Sequence, residues 1–179
     1  MVVTAVCVVL LLLGALGMRH LVVQPFEVPS ASMEPALQAG DVILADRSDR
    51  GTARRGDVVV FDGSGYFAPT GQEGGRYWVK RVIAVGGERV TCCTETGAIT
   101  VDGEELVEPY LPPGTDPSSI EFDLRVPEGR MFVLGDNRED STDSRSLLGA
   151  PGGGMIPVDR VVGTVHRIVW PLTRAGVIE

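Results

Sequence analysis

The chain has 179 residues, 24 acidic and 16 basic, and its net charge of −8 argues against nucleic acid as a partner. A hydrophobic content of 44% is too high for a disordered chain, and the length allows one domain with a real core rather than two large ones. Gly 23 and Pro 12 favour a turn-rich β protein, and three cysteines (Cys7, Cys92, Cys93) make neither a disulfide framework nor a zinc-ligand spacing, so no metal and no cofactor is expected.

Val2 to Met18 is uncharged and rich in Leu and Val. As a helix it rises roughly 26 Å, slightly less than the about 30 Å of a bilayer core. Apolar residues resume at Leu21-Val22-Val23, and Arg19 and His20 can snorkel to the interface. Residues 1–20 are read as a single transmembrane anchor. A cleaved signal peptide would carry a basic segment ahead of the apolar run, although Ala15-Leu16-Gly17 has the small-x-small form of a cleavage site. A buried core helix would show a polar face. The one flanking charge, Arg19 on the C-terminal side, taken literally predicts the wrong orientation for an exported domain.

After residue 20 short apolar runs alternate with Gly, Pro and Asp turns. Strands are expected at 42–45, 57–61, 77–85, 131–134 and 161–170. Asp102-Gly103 is a strong hairpin signal between runs 99–101 and 105–107. No strand–helix alternation occurs, which argues against a parallel α/β sheet. The stretch from about 91 to 127 is acidic and Pro-rich and reads as a small inserted subdomain within a β domain over 21–175.

Three clusters carry chemistry. Pro29-Ser30-Ala31-Ser32-Met33-Glu34-Pro35 places two serines between prolines just after the anchor, where a plain turn or helix cap is the simpler reading. The second is the strand around Lys80. Of the 16 basic residues 15 are Arg and Lys80 is the single Lys. Trp78, Lys80, Val82 and Ala84 share one face of a strand, and Val79, Arg81, Ile83 and Val85 the other, so the strand is expected to be buried on both sides. A buried Arg stays charged and needs a carboxylate, whereas a buried Lys can become neutral. A lysine titrates near ~10.4, so keeping it neutral at pH 7 takes roughly 4 to 5 kcal/mol from the fold. The alternative is a lysine that snorkels to the surface at a sheet edge. The third cluster runs from Gly135 to Arg145 and combines Asp136, Arg138, Ser141, Asp143 and Arg145. As a calcium loop it lacks the glycine at the sixth position (Ser141) and the Glu at the twelfth (Leu147). Neither G-x-S-x-G nor S-x-x-K occurs, and His166 lies in an apolar run. The vicinal Cys92-Cys93 pair is compatible with a disulfide or with free thiols.

In this order the clusters resemble the type I signal peptidases, membrane-bound Ser/Lys endopeptidases. The resemblance runs from Gln24 to Pro171 and rests on five segments: 30–35, Gly40-Asp41-Val42-Ile43-Leu44, Gly56-Asp57-Val58-Val59-Val60-Phe61, Lys80-Arg81-Val82-Ile83, and Gly135-Asp136-Asn137-Arg138 with 141–145. It implies a mainly β fold with an antiparallel, coiled, barrel-like core behind one N-terminal transmembrane helix. Ser32 would be the nucleophile and Lys80 the general base. Ser30 would complete the oxyanion hole beside the Ser32 amide, Ser141 would orient the Lys80 amine, and Asp143 would pair with Arg145 or Arg81. Phe26, Val28, Pro29, Met33, Ile43 and Val79 would line shallow pockets for small residues ahead of the cut. The partners implied are secretory preproteins and membrane lipid, and the location is the cell membrane with the catalytic domain on the extracytoplasmic side. The chain departs from the family at Ala84-Val85-Gly86-Gly87-Glu88, where the pattern is Gly-x-Pro-Gly-Asp, and at Ala36, where Thr is usual. Two other readings are a self-cleaving protein of the LexA type, for which DNA-binding helices are lacking, and a catalytically inactive anchored β module that only binds partners.

Overall fold

The structure, a computed structural model, describes residues 22–67, 75–150 and 152–178. The anchor expected over 1–20 lies outside the described residues; among the described residues no helix is long and apolar enough to cross a membrane. Among the described residues the elements are twelve strands and two short 3-10 turns. The strands are β1 (Val23–Glu27), β2 (Val42–Asp46), β3 (Val58–Asp62), β4 (Tyr77–Val85), β5 (Arg89–Cys92), β6 (Thr100–Val101), β7 (Glu104–Glu105), β8 (Phe122–Arg125), β9 (Arg130–Leu134), β10 (Ile156–Pro157), β11 (Val161–Trp170) and β12 (Gly176–Val177).

They form two antiparallel sheets. The larger runs β1-β2-β11-β3-β4-β9-β10 with β12 added to β11, and the smaller runs β7-β6-β5-β8. The mainly β, antiparallel expectation therefore holds. The larger sheet curls, and Phe26 on its edge strand β1 meets Tyr77 of β4 edge to face, ring centroids 5.3 Å apart. Bulges in β11 against β2 and β3, and in β4 against β9, supply the bending.

Both faces of this sheet are buried, because the middle strands are almost continuously apolar. On β3, Val58 and Val60 enter one cluster with Met33, Leu37 and Ile43, while Val59 and Phe61 enter another with Val82, Met131 and Val133. A third cluster fills the space toward the smaller sheet and joins Ile83, Phe132 and Leu134 to Val90, Val101 and Phe122. The Asp102-Gly103 turn has φ of 53° and 86°, and Val101 pairs with Glu104 across it, the two positive values that a tight two-residue hairpin demands. Cys92 and Cys93 are bonded to each other.

Candidate active site

The two serines lie in a turn between β1 and β2. Val28 N–H donates to Asp41 O at 2.8 Å and Gly40 N–H returns to Val28 O at 2.9 Å, closing the turn at its base. Asp41, 1% exposed, accepts the Gln38 amide at 2.8 Å and a pair of bonds from Arg174 at 3.0 Å, so the turn is clamped from behind. The loop after β9 grips its front: Asn137 N–H donates to Ser32 O and Asn137 Nδ2 to Ala31 O, both at 3.2 Å. Gly135 makes that contact possible, since a Cβ there would sit 2.3 Å from Ser32 O and 2.2 Å from Ser141 Oγ.

Lys80 reaches this turn from the middle of β4. It is 2% exposed, and its Nζ donates to Ser32 Oγ at 2.5 Å. Ser30 Oγ donates to the same oxygen at 3.3 Å. The Ser32 amide donates to no group among the described residues, so it remains available to an incoming oxygen. Burial pushes the Lys80 amine down from 10.5 to about 8, against the pull of Asp143 and Asp136 and with help from Arg145. An amine at that value is neutral in roughly half the molecules at pH 8, and a neutral amine accepts the proton that Ser32 must lose.

The neighbouring cation is treated differently. Arg81 leaves β4 on the opposite face and makes two parallel bonds to Asp136, at 2.9 and 2.7 Å. Arg145 makes the same kind of pair with Asp143, at 2.9 and 2.7 Å. Of the two pairings expected for Asp143 it is Arg145 that forms; Arg81 takes Asp136 instead. Ser141 lies against Gly135, but its Oγ is buried without a hydrogen-bond partner, so the expected bond to the Lys80 amine is not present.

A groove of about 360 Å³ opens over the Ser32–Lys80 pair. Pro29 and Val79 line it, as do Tyr77, Trp78 and Thr142, none of which is among the residues expected on its walls. Val28, Met33 and Ile43, expected on its walls, are 1%, 0% and 1% exposed and are packed in the core under the turn, with Phe26 against them; side chains so enclosed have no surface left for a ligand in this state. Asp136, Asn137, Asp41 and Arg174 carry no expected role from the sequence, yet they hold the site together. One signal was available for Asp136, because a buried Arg81 requires a carboxylate, but the sequence offers several.

Residues 1–170 match the model of the family described as signal peptidase, peptidase S26. The chain belongs to this family. It is 38% identical to Signal peptidase I of Mycobacterium tuberculosis (strain ATCC 25618 / H37Rv), over 90% of this chain and 70% of that protein. It is 32% identical to Signal peptidase I T of Bacillus subtilis (strain 168), over 92% and 82% of the two chains. A solved signal peptidase I from Enterococcus faecalis V583 is 26% identical, with a TM-score of 0.46 over 63% of this chain and 96% of that one.

Proposed function

We propose that the protein is a signal peptidase I, a membrane-anchored serine endopeptidase that removes N-terminal signal peptides from secretory preproteins after small-x-small sequences. Residues 1–20 are its single anchor in membrane lipid. Residues 21–175 are the catalytic β domain on the extracytoplasmic side, with a small inserted subdomain at about 91–127. The anchor keeps the site at the bilayer surface, where a translocated preprotein is held by its own apolar segment, so enzyme and substrate meet in two dimensions.

Neutral Lys80 takes the Ser32 proton as Ser32 Oγ attacks the scissile carbonyl. The oxyanion is met by the Ser32 amide and the Ser30 hydroxyl. The Lys80 ammonium then returns its proton to the leaving amine, the C–N bond breaks, and an acyl-serine remains. Water, deprotonated by the same amine, hydrolyses it. The unpartnered Ser141 hydroxyl supports a role in accepting a hydrogen bond from the ammonium as it forms. Arg81 and Arg145 neutralise Asp136 and Asp143, which would otherwise hold the proton on Lys80.

The substrate has a place to pair. Among the described residues β1 is bonded only to β2, and Tyr77 to Lys80 only to β3, since β9 joins β4 from Arg81 onward. Two open backbone edges thus flank the groove, and an extended peptide adds to such edges as a strand. Pro29 and Val79 offer shallow apolar surface for small side chains, with Phe26 against Tyr77 and Val28, Met33 and Ile43 beneath. The observation that carries this reading is the sheltered amine at 2.5 Å from a serine hydroxyl in a chain of this family. Mass spectrometry of a model preprotein with an A-x-A site tests it. The enzyme is expected to release the segment ending in A-x-A and Ser32→Ala to release none; cleavage retained by Ser32→Ala ends the proposal.

A further inference from the structure

Two carboxylates, Asp136 at 1% and Asp143 at 0% exposure, are buried near the Lys80 amine, and both favour its charged form. Each is covered by one guanidinium, but the two guanidiniums are held by different parts of the chain. Arg145 belongs to the same loop as Asp143 and also donates to Arg138 O at 3.0 Å. Arg81 comes from β4. It donates to Gly56 O at 3.1 Å, and its flat face is covered by the ring of Tyr110, whose centroid lies 3.7 Å from Cζ.

Tyr110 follows the β6–β7 hairpin of the smaller sheet. Its hydroxyl donates to Glu108 Oε1 at 2.6 Å. Burial and the Glu108 carboxylate push the Tyr110 phenol up, so it stays a donor. Glu108 pairs with Arg138, whose side chain is fully buried and which donates to Gly135 O and Pro117 O, both at 3.1 Å. Arg145 also reaches Pro117 O, at 3.4 Å. A strap over residues 108–118 therefore lies against both guanidiniums that cover the carboxylates.

We propose that Tyr110 is a positioning residue for the lysine base: by stacking its ring on Arg81 it keeps that guanidinium on Asp136 and withholds the carboxylate's charge from the Lys80 amine. The inference deepens the Ser32–Lys80 reading and rests on it. An aromatic face attracts a guanidinium, and a ring that keeps water off an ion pair strengthens it. Without the ring, water reaches the pair and Arg81 swings outward. Asp136 then acts on Lys80 with less compensation, and the amine holds its proton to higher pH. The other groups around the amine do not cancel this. They are Asp143 with Arg145 and Ser141 from the loop after β9, Ser32 from the turn, Asp140 at the groove rim, and the Trp78 ring, centroid 5.7 Å from Nζ, on β4 itself. Glu108 and Arg138 stand behind as a matched pair.

Lys80 is the only lysine in the chain, so lysine labelled with ¹³C at Cε gives one side-chain resonance that reports its titration directly. The measurement uses the whole 179-residue chain in detergent micelles. Tyr110→Leu removes the ring and Tyr110→Phe keeps it. The parent and Tyr110→Phe are expected to titrate together. Tyr110→Leu is expected to titrate about one unit higher, and the acid limb of its kcat/KM profile moves by the same amount while the alkaline plateau stays within about threefold of the parent. A folded Tyr110→Leu that titrates with the parent, or that loses rate equally at every pH, overturns the inference. Should the leucine variant not fold, Tyr110→Met, whose longer, flexible side chain also lacks a ring, is held to the same outcomes. A parent amine that titrates near ~10.4 would instead sink the lysine-base reading itself, so the two failures are distinct.

Discussion

Lys80 and Arg81 are adjacent on β4 and almost equally buried, at 2% and 3% exposure, yet the fold handles their charges in opposite ways. On the Arg81 side a carboxylate waits in contact, with two parallel bonds and an aromatic ring over the guanidinium. On the Lys80 side no carboxylate makes an ion pair among the described residues; the amine meets a hydroxyl. Burial is the same in both places and does not by itself decide the protonation state. The difference lies in what each group can do. A guanidinium cannot shed its proton, so its burial is tolerable only with a partner. An ammonium can, so leaving it without one lets desolvation strip the proton and free the lone pair near neutral pH.

Removing each cation in turn breaks this comparison most sharply. Lys80→Met is expected to lower preprotein cleavage by roughly 10³-fold or more, measured by product mass in single-turnover assays. Its stability should move the other way. The amine titrates at about 8 folded against 10.5 unfolded, so the folded state disfavours the proton and the penalty is complete below about pH 8. It disappears as pH rises toward 10.5, because the unfolded chain then no longer binds the extra proton. Lys80→Met should therefore be about 1 to 3 kcal/mol more stable than the parent at pH 7, a gain that fades by pH 10 to 11 in denaturant titrations. Arg81→Met leaves Asp136 buried and unpaired and should destabilise by about 3 to 5 kcal/mol in the same titrations. Equal losses of stability from both substitutions would contradict the contrast.

Smaller effects sharpen it. Ser30→Ala removes one of the two proposed oxyanion donors and should lower kcat by about 10²- to 10³-fold with KM little changed; a loss confined to KM would assign Ser30 to binding. The parent's kcat/KM should fall about tenfold per pH unit below the amine's value of about 8 and level off above it, and a flat profile from pH 5 to 9 would exclude a lysine base. Smallest of all, Arg89→Ala breaks a pair with Asp123 whose side chains are 58% and 50% exposed. It should leave both melting temperature and cleavage unchanged, because water screens such a pair on all sides.

The strands read well from the sequence are those whose local signal is strong. β4 and β11 follow apolar runs bounded by turn residues and are recovered end to end. The missed strands had weak or misleading signals. β1 contains Pro25, which an edge strand tolerates because the ring faces away from the ladder. β10 and β12 have two residues each and exist only because β9 and β11 lie alongside. In β5 and β8, Arg89 and Arg125 face each other across the ladder and mask the apolar alternation of Val90 with Phe122 and Leu124.

The residue types at the site and their order along the chain were written in the primary structure: a serine pair after an apolar segment, one lysine in a strand apolar on both faces, and an acid–arginine loop. Those are local properties, set by periodicity and by which side chains can lose a proton. Which carboxylate meets Arg81, how Asn137 grips the serine turn, that Met33 and Ile43 sit beneath the groove, and that Tyr110 covers Arg81 were decided only when distant strands paired. Such contacts join residues up to 106 positions apart, and a charge or hydroxyl carries no label for its partner until packing brings one within reach.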